Sequence, residues 1–416
     1  MNIRIGAEEE FHLLEAESGL VVPRADQLLR RLPRQSFTAE LHQSIVETNT
    51  GVHATLDELY TDLTQTRRRL DAAASSLGLA VLAAGTAPLA PAASGHPTDD
   101  ARYRHMVEEY RRVADEQLIC SAQIHVDVPD RDTAVTVMCA LSPWLAVLLA
   151  LSASSPYWQG TDTGYASWRT VLWQRWPTAG PAGCFSSASA YDAAVDDLVR
   201  SGIISDPGMI YYDVRPSAHL RTLELRICDA CPRVESVVLV AGLFRALVTD
   251  VLEHRGAGAR PCEGRHEWLR GASWRAARSG LEGSLVDPET HRDAPAAQVV
   301  RKLLTRLRPA LEAHGDWQTV GELTEAALAE GSAARRIRRT AQAEGLPACV
   351  DMLIDETRGE RRGPGQGPAG RETAPPPASG AALPASGAAL PASGAAPPAT
   401  GAAASRPGRP RELRGV

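Results

Sequence analysis

Ile3-Arg4-Ile5-Gly6-Ala7-Glu8-Glu9-Glu10-Phe11-His12-Leu13 is the stretch on which the fold turns. The odd positions Ile3, Ile5, Ala7, Phe11 and Leu13 are apolar, while the even positions Arg4, Gly6, Glu8, Glu10 and His12 are polar or minimal. Alternate side chains of a strand share a face, so this pattern predicts a strand with Glu8 and Glu10 projecting together from its polar side. Glu9 falls on the apolar side, where nothing nearby in the sequence accounts for its charge. Two carboxylates on one face repel unless a cation lies between them. Their oxygen ligands favour a hard ion, magnesium or manganese, over zinc.

Two later segments repeat the pattern. In Ser121 to Val128 the apolar face is Ala122, Ile124, Val126 and Val128, and the other carries Ser121, Gln123, His125 and Asp127. In Leu220 to Ile227, Thr222, Glu224 and Arg226 lie opposite Leu223, Leu225 and Ile227. Polar faces of ordinary solvated sheets carry Thr, Ser and Lys; these concentrate Glu, Gln, His and Arg. Phe37 to Thr50 adds Glu40 and Glu47. Seven residues apart on one strand they would face opposite ways, so a turn or bulge between them is needed if both serve one site.

Helical periodicity marks Leu56 to Leu77, Val234 to Val251 and Ala296 to Leu311. Val135 to Ser152 is the most apolar run, and Pro143 marks a break in it; it reads as a buried helix rather than a membrane span. Gly85 to Asp100 and Gly160 to Gly183 read as loop-rich. Strand-like segments between helices predict one α+β domain with a large sheet over residues 1–357. Beyond it, Pro, Ala, Gly and Arg dominate, with a near-repeat of seven residues at Ala378 and Ala385, so residues 358–416 are expected to be a disordered tail.

Several ordered motifs resemble the type 2 glutamate–cysteine ligases, the carboxylate–amine ligase family. They are Gly6-Ala7-Glu8-Glu9-Glu10-Phe11, Glu40 to Gly51, Ser152 to Gly160, Thr163 to Arg169, Trp176 to Gly180, Asp213-Val214-Arg215-Pro216, Thr222 to Asp229, Trp274 to Arg278 and Gly331 to Arg336. The resemblance spans residues 1–357. It implies a glutamine-synthetase-like sheet, curved and largely antiparallel with six strands, whose concave face holds ATP, glutamate and two or three magnesium ions. Carried onto this chain, it implies metal ligands at Glu8, Glu10, Glu40, Glu47 and Glu224. It further implies a catalytic role for Glu224 and Arg226, and substrate or nucleotide contacts from Gln123, His125, Arg169 and Arg215. The chain departs from the family pattern in two places. Gln123-Ile124-His125 stands where many bacterial members have His-x-His, and Arg221 stands where Gly is frequent.

The 416-residue chain has a net charge of -6, which gives no reason to expect a nucleic-acid partner. Its single lysine, Lys302, follows no glycine, so a P-loop is excluded and phosphates must meet arginine, backbone amides or metal ions. Seven cysteines behind an N-terminus without a signal pattern are expected to be free thiols in a cytoplasmic protein. Small-molecule substrates, glutamate and an amine such as cysteine, are the expected partners, with no membrane; a homodimer is compatible with the sequence. Two alternatives stand beside the cysteine ligase: a ligase of the same fold with another acceptor, and a non-catalytic nucleotide-binding regulator. A redox or zinc protein built on Cys228 and Cys231 fits little else. A chain ended after Thr357 is expected to keep its melting temperature, since the residues removed carry too little apolar surface to offset ordering.

Overall fold

The structure is a computed structural model, and it describes residues 3–90, 95–253 and 266–360. The predicted tail lies outside the described residues from 361 onward. Thr357 and Arg358 belong to the last helix, Leu346–Arg358. Thr357 accepts from the Ala83 amide at 3.0 Å and Arg358 donates to Asp71 at 2.8 Å. The last helix thus runs one residue past the boundary expected at Thr357, and the described residues continue to Glu360.

A seven-stranded sheet organises the described residues. Its strands are β1 (Ile5–Glu15), β2 (Phe37–Ala39), β3 (Ile45–Asn49), β4 (Leu79–Leu82), β5 (Ala122–Asp127), β6 (Val214–Pro216) and β7 (Thr222–Leu225). The order is β2-β3-β1-β5-β7-β6, with β4 alongside β1, and every pairing is antiparallel. The resemblance implied six strands; the sheet has seven, six on that path and β4 added beside β1. β1 carries β5 on its first half and β4 on its second, which is why it must be long. The turn demanded between Glu40 and Glu47 is the β2–β3 hairpin, which pairs Thr38 with Glu47.

The odd side of β1 is buried against helices. Val234–Glu253 is apolar almost all round and packs on Leu56–Ser75, on Ala296–His314 and on the sheet. Such a helix is stable only when enclosed. Arg131–Ser152 is the candidate span by length and apolarity. It is broken by a single turn of 3-10 helix at Ser142–Trp144, which contains Pro143, and most of it is buried in the core. The stretch read as loop-rich contains one short helix, Trp168–Trp173, capped by Ser167, whose Oγ accepts from the Thr170 amide.

The expectation of free thiols is corrected at one pair. Cys139 and Cys184 form a disulfide that ties the Arg131–Leu141 helix to the segment before Ala188–Arg200. Cys120, Cys228, Cys231 and Cys349 are free and buried. Burial pushes the thiols of Cys228 and Cys231 up, so both favour the protonated form.

The charge on Glu9 also finds its partner. Arg67 of the Leu56–Ser75 helix donates to both Glu9 oxygens, at 2.5 and 3.1 Å, and to the carbonyls of Cys231 and Pro232. Both side chains are about 2% exposed. Removing one member of such a pair strands the other charge in the core, at a cost of about 3–5 kcal/mol. Arg67→Met is expected to lower unfolding free energy by that amount in a denaturant titration, whereas Arg67→Met with Glu9→Leu should recover much of the loss.

Candidate active site

Cross-strand register sets the site. On the even face of β1, Glu10 pairs with Glu47 of β3, Glu8 lies between Asn49 of β3 and Gln123 of β5, and Gly6 pairs with His125. His125 in turn pairs with Glu224 of β7, and Glu224 with Arg215 of β6. Paired residues share a face, so the acidic and basic side chains come together on one floor. That floor lies in a cleft of about 330 Å3, and all of the sequence-derived site residues line it: Glu8, Glu10, Glu40, Glu47, Gln123, His125, Arg169, Arg215, Glu224 and Arg226.

Two acidic groups result. Glu10, Glu40 and Glu47 can bring one carboxylate oxygen each within 4.8 Å of one another, and Glu8, Glu224 and the His125 ring do the same. Burial raises the Glu10 carboxyl to about 7, with Glu40 adding to the effect and Arg169 opposing it. Glu40 is also raised by burial, and Glu47 well above the usual range by burial and by the charges of Glu40, Glu8 and Glu10. Glu224 behaves oppositely. Burial alone would raise it, but Arg226 and Arg215 hold it down at about 2.

A divalent cation fits these residues. Three neighbouring carboxylates whose ionisation is suppressed by one another are relieved by a shared positive charge. The oxygen-rich donor set suits a hard ion. The buried Nε2 of His125 makes no hydrogen bond, although it lies 3.2 Å from Glu8 Oε1; the approach is close enough for an ion pair but badly angled for a hydrogen bond. Its other nitrogen is satisfied by Thr222 Oγ1 at 2.9 Å, so the ring is oriented with a free nitrogen between two carboxylates.

A family model, glutamate–cysteine ligase family 2, matches residues 4–356. The chain belongs to this family. A relative from Frankia casuarinae, provisionally named glutamate–cysteine ligase 2-2, is 54% identical over 357 residues; the match covers 86% of this chain but 42% of that longer protein. The chain thus spans less than half of that relative. A Mycolicibacterium smegmatis protein, provisionally named in the same way, is 49% identical, with 85% of this chain and 89% of that protein covered. Among solved structures, the glutamate–cysteine ligase of Francisella tularensis in complex with AMP shares the fold, with a TM-score of 0.66 at 13% identity over 86% of this chain and 88% of that one.

The two arginines expected to contact substrate or phosphate, Arg169 and Arg215, make several bonds within the protein. Arg215 grips both oxygens of Glu224, at 2.8 and 3.1 Å, and donates to the carbonyls of Gly208 and Ile210. Arg169 is buried, donates to the carbonyls of Ile227 and Arg226, and sits over the Trp173 ring. Both hold other site residues in place. Gln123, expected to offer its oxygen to a metal or nucleotide, gives it to Arg226 at 2.5 Å. Arg226 also bonds Glu224 and lies over Trp173 and Tyr211. Arg221 is exposed and outside the cleft lining.

Sequence reasoning missed the aromatic wall. Trp173 and Trp176 pack on Tyr211, with ring centroids 4.7 and 5.4 Å away, and Trp176 donates to Gln117 at 2.7 Å. Ser167 as a helix cap, followed by Trp168, Leu172 and Trp173 at helical spacing, was the available signal for Trp173; nothing local marks Tyr211.

The carboxyl shifts set a pH dependence. An acid whose folded value is raised stabilises the fold below its unfolded value and loses that contribution as pH rises through the folded value. For Glu10 that window runs from about 4.5 to about 7. With divalent ions chelated, the unfolding free energy is expected to fall between pH 5 and 7, by on the order of 1 kcal/mol per pH unit for Glu10, and the melting temperature to fall with it. Magnesium should recover more stability at pH 8 than at pH 5, and Glu47→Gln should flatten the slope. A profile unchanged by chelation would count against the shared-cation assignment.

Proposed function

We propose that the chain is an ATP-dependent carboxylate–amine ligase that activates glutamate as γ-glutamyl phosphate and transfers the acyl group to an amine, cysteine being the first acceptor to test. The observation that carries this reading is the pairing, in one cleft of a family member, of two acidic groups with a partly buried guanidinium, Arg226, bonded to Glu224 of one group and, through Gln123, to Glu10 of the other.

A carboxylate and an amine do not condense directly because hydroxide is a poor leaving group. In the proposed reaction a γ-carboxylate oxygen attacks the terminal phosphorus of ATP and ADP leaves. The amine nitrogen then attacks the acyl carbon, phosphate leaves with the carboxylate oxygen, and the nitrogen gives up a proton. Magnesium, or manganese, held by Glu8, Glu224 and His125 and by Glu10, Glu40 and Glu47, would supply the positive charge that the polyphosphate requires.

The protein's own residues do the rest. Arg226 offers a planar, permanently charged donor toward the transferring phosphoryl group. Arg215 holds Glu224 ionised and in place. Arg169 fixes the Arg226 main chain from beneath. The wall of Trp173, Trp176 and Tyr211 limits water beside a labile acyl phosphate. The chain has no lysine near the cleft to share this work, since Lys302 is paired with Asp287 and Glu289.

The deciding experiment follows ADP release with magnesium, glutamate and a panel of amines. Glutamate and ATP alone are expected to release ADP slowly, and a competent amine to accelerate it. Oxygen-18 in the γ-carboxylate should pass one label to phosphate. Glu10→Gln should reduce turnover by more than about 100-fold, beyond the loss typical of an outer partner alone. A stable phosphorylated acceptor without label transfer would make the protein a kinase, and silence with every amine would favour a non-catalytic nucleotide binder.

A further inference from the structure

Gln123 sits in the middle of the cleft floor, opposite Glu8 in the β1–β5 register, and is about 2% exposed. Its amide is wholly engaged within the protein. Oε1 accepts from Arg226 Nη1 at 2.5 Å, while Nε2 donates to Glu10 Oε1 at 3.1 Å and lies 3.3 Å from Ser121 Oγ. The neighbours dictate which end points where. A guanidinium can only donate, so the amide oxygen must face Arg226, and that choice leaves the NH2 to donate to Glu10 Oε1. Turning the amide over would set donor against donor and acceptor against acceptor.

The bonds continue on both sides. The Ser121 amide donates to Glu10 Oε2 at 2.7 Å, Arg226 also bonds Glu224, and Arg215 holds Glu224 from the far side. One run therefore passes from Ser121 through Glu10, Gln123, Arg226 and Glu224 to Arg215. It crosses from one acidic group to the other, because Glu10 belongs to the first and Glu224 to the second.

We propose that Gln123 is a positioning residue that locks the two acidic groups and Arg226 into one frame, and that it ligates neither metal nor nucleotide. The bridge itself is a matter of hydrogen bonding; only its purpose rests on the ligase reading above. The chemistry explains why an amide serves. A carboxylate here could accept from Arg226 but could not donate to Glu10, and it would add charge beside Glu10, Glu40 and Glu47. A basic side chain could donate but not accept. An amide does both without charge, and so does a neutral imidazole through its two nitrogens. A thioether does neither well.

The test uses the full chain with Gln123→Met and Gln123→His. Because the bridge is made of protein groups alone, Gln123→Met is expected to lower the melting temperature of the chelated protein by about 2–4 °C, the shift for roughly 1 kcal/mol in a domain of this kind. A residue acting only as a metal ligand would leave that temperature unchanged and instead diminish the rise produced by manganese. In turnover, Gln123→Met should lower kcat by at least about tenfold, in the range of lost supporting contacts to a metal site, with the KM for ATP nearly unchanged. Gln123→His should restore most of both losses. An unshifted chelated melting temperature in Gln123→Met, or a histidine variant no better than methionine, overturns the proposal. Absence of any magnesium-dependent turnover in the unsubstituted chain would defeat the ligase reading alone, because the melting measurements still decide the bridge.

Discussion

Glu8, Glu9 and Glu10 place three negative charges on consecutive residues of one strand, and the rest of the structure answers that constraint. The pleat sends the middle charge through the sheet and leaves its neighbours on the cleft side. Glu9 then needs a cation where the core should be apolar, and Arg67 supplies it while also capturing the carbonyls of Cys231 and Pro232. That clamp fixes β1 against both the helix behind it and the chain that follows β7. Glu8 and Glu10 cannot shift by one residue without driving Glu9 into the cleft and a cleft carboxylate into the core. The cleft-facing register is thus defended from the opposite face of the sheet.

The faces of β1, β5 and β7 were legible because a strand's period is local; Glu8, Glu10, Gln123, His125, Glu224 and Arg226 could be placed on polar faces from their neighbours alone. The family motifs added Glu40 and Glu47 to that face, and the β2–β3 hairpin supplies the turn that brings them there. What stayed hidden depends on pairs far apart in the chain. Arg67 lies 58 residues from Glu9, and Cys139 lies 45 from Cys184. Arg245 is fully buried in the helix Val234–Glu253, where its apolar neighbours hid a pair with Asp316 and a bond of 2.7 Å to the Ala54 carbonyl. Arg169 and Arg215 were legible as cations near the site but not as supports, because Arg169 bonds backbone carbonyls, which any sequence supplies, and Arg215 joins two more to Glu224 across the β6–β7 pairing.

Several motifs that carry the family resemblance have a structural explanation away from the reacting groups. Asp229 is buried and accepts from the Ser154 amide at 2.9 Å, from Ser155 Oγ at 2.7 Å and from Ser167 Oγ at 2.7 Å. Gly85 approaches so closely that a Cβ there would lie 2.7 Å from its carboxylate. Burial raises this carboxyl, and Arg169 at 4.0 Å is its nearest cationic counterweight. The serine-rich stretch after the apolar helix, the segment leading into Trp168–Trp173 and the end of the β7 segment are thereby tied at one point. That point holds Arg169, and Arg169 holds the main chain of Arg226.

The charge pattern of the cleft follows from having only arginine to work with. A lysine is a compact charge on a flexible stem, whereas a guanidinium has a fixed fork that can serve two or three acceptors at once. Arg215 uses that fork to join Glu224 to two carbonyls, and Arg169 to join two carbonyls of the segment after β7. Arg102, at the cleft edge, is paired with Asp206. This leaves Arg226 as the cation that both belongs to the floor and faces the acidic groups. Its position is set by Glu224 on one side and by the uncharged Gln123 on the other. Had Gln123 been a second carboxylate, Arg226 would be neutralised from both sides and its attraction for an incoming anion largely cancelled. An amide at that position holds the guanidinium still while leaving its charge uncompensated from that direction.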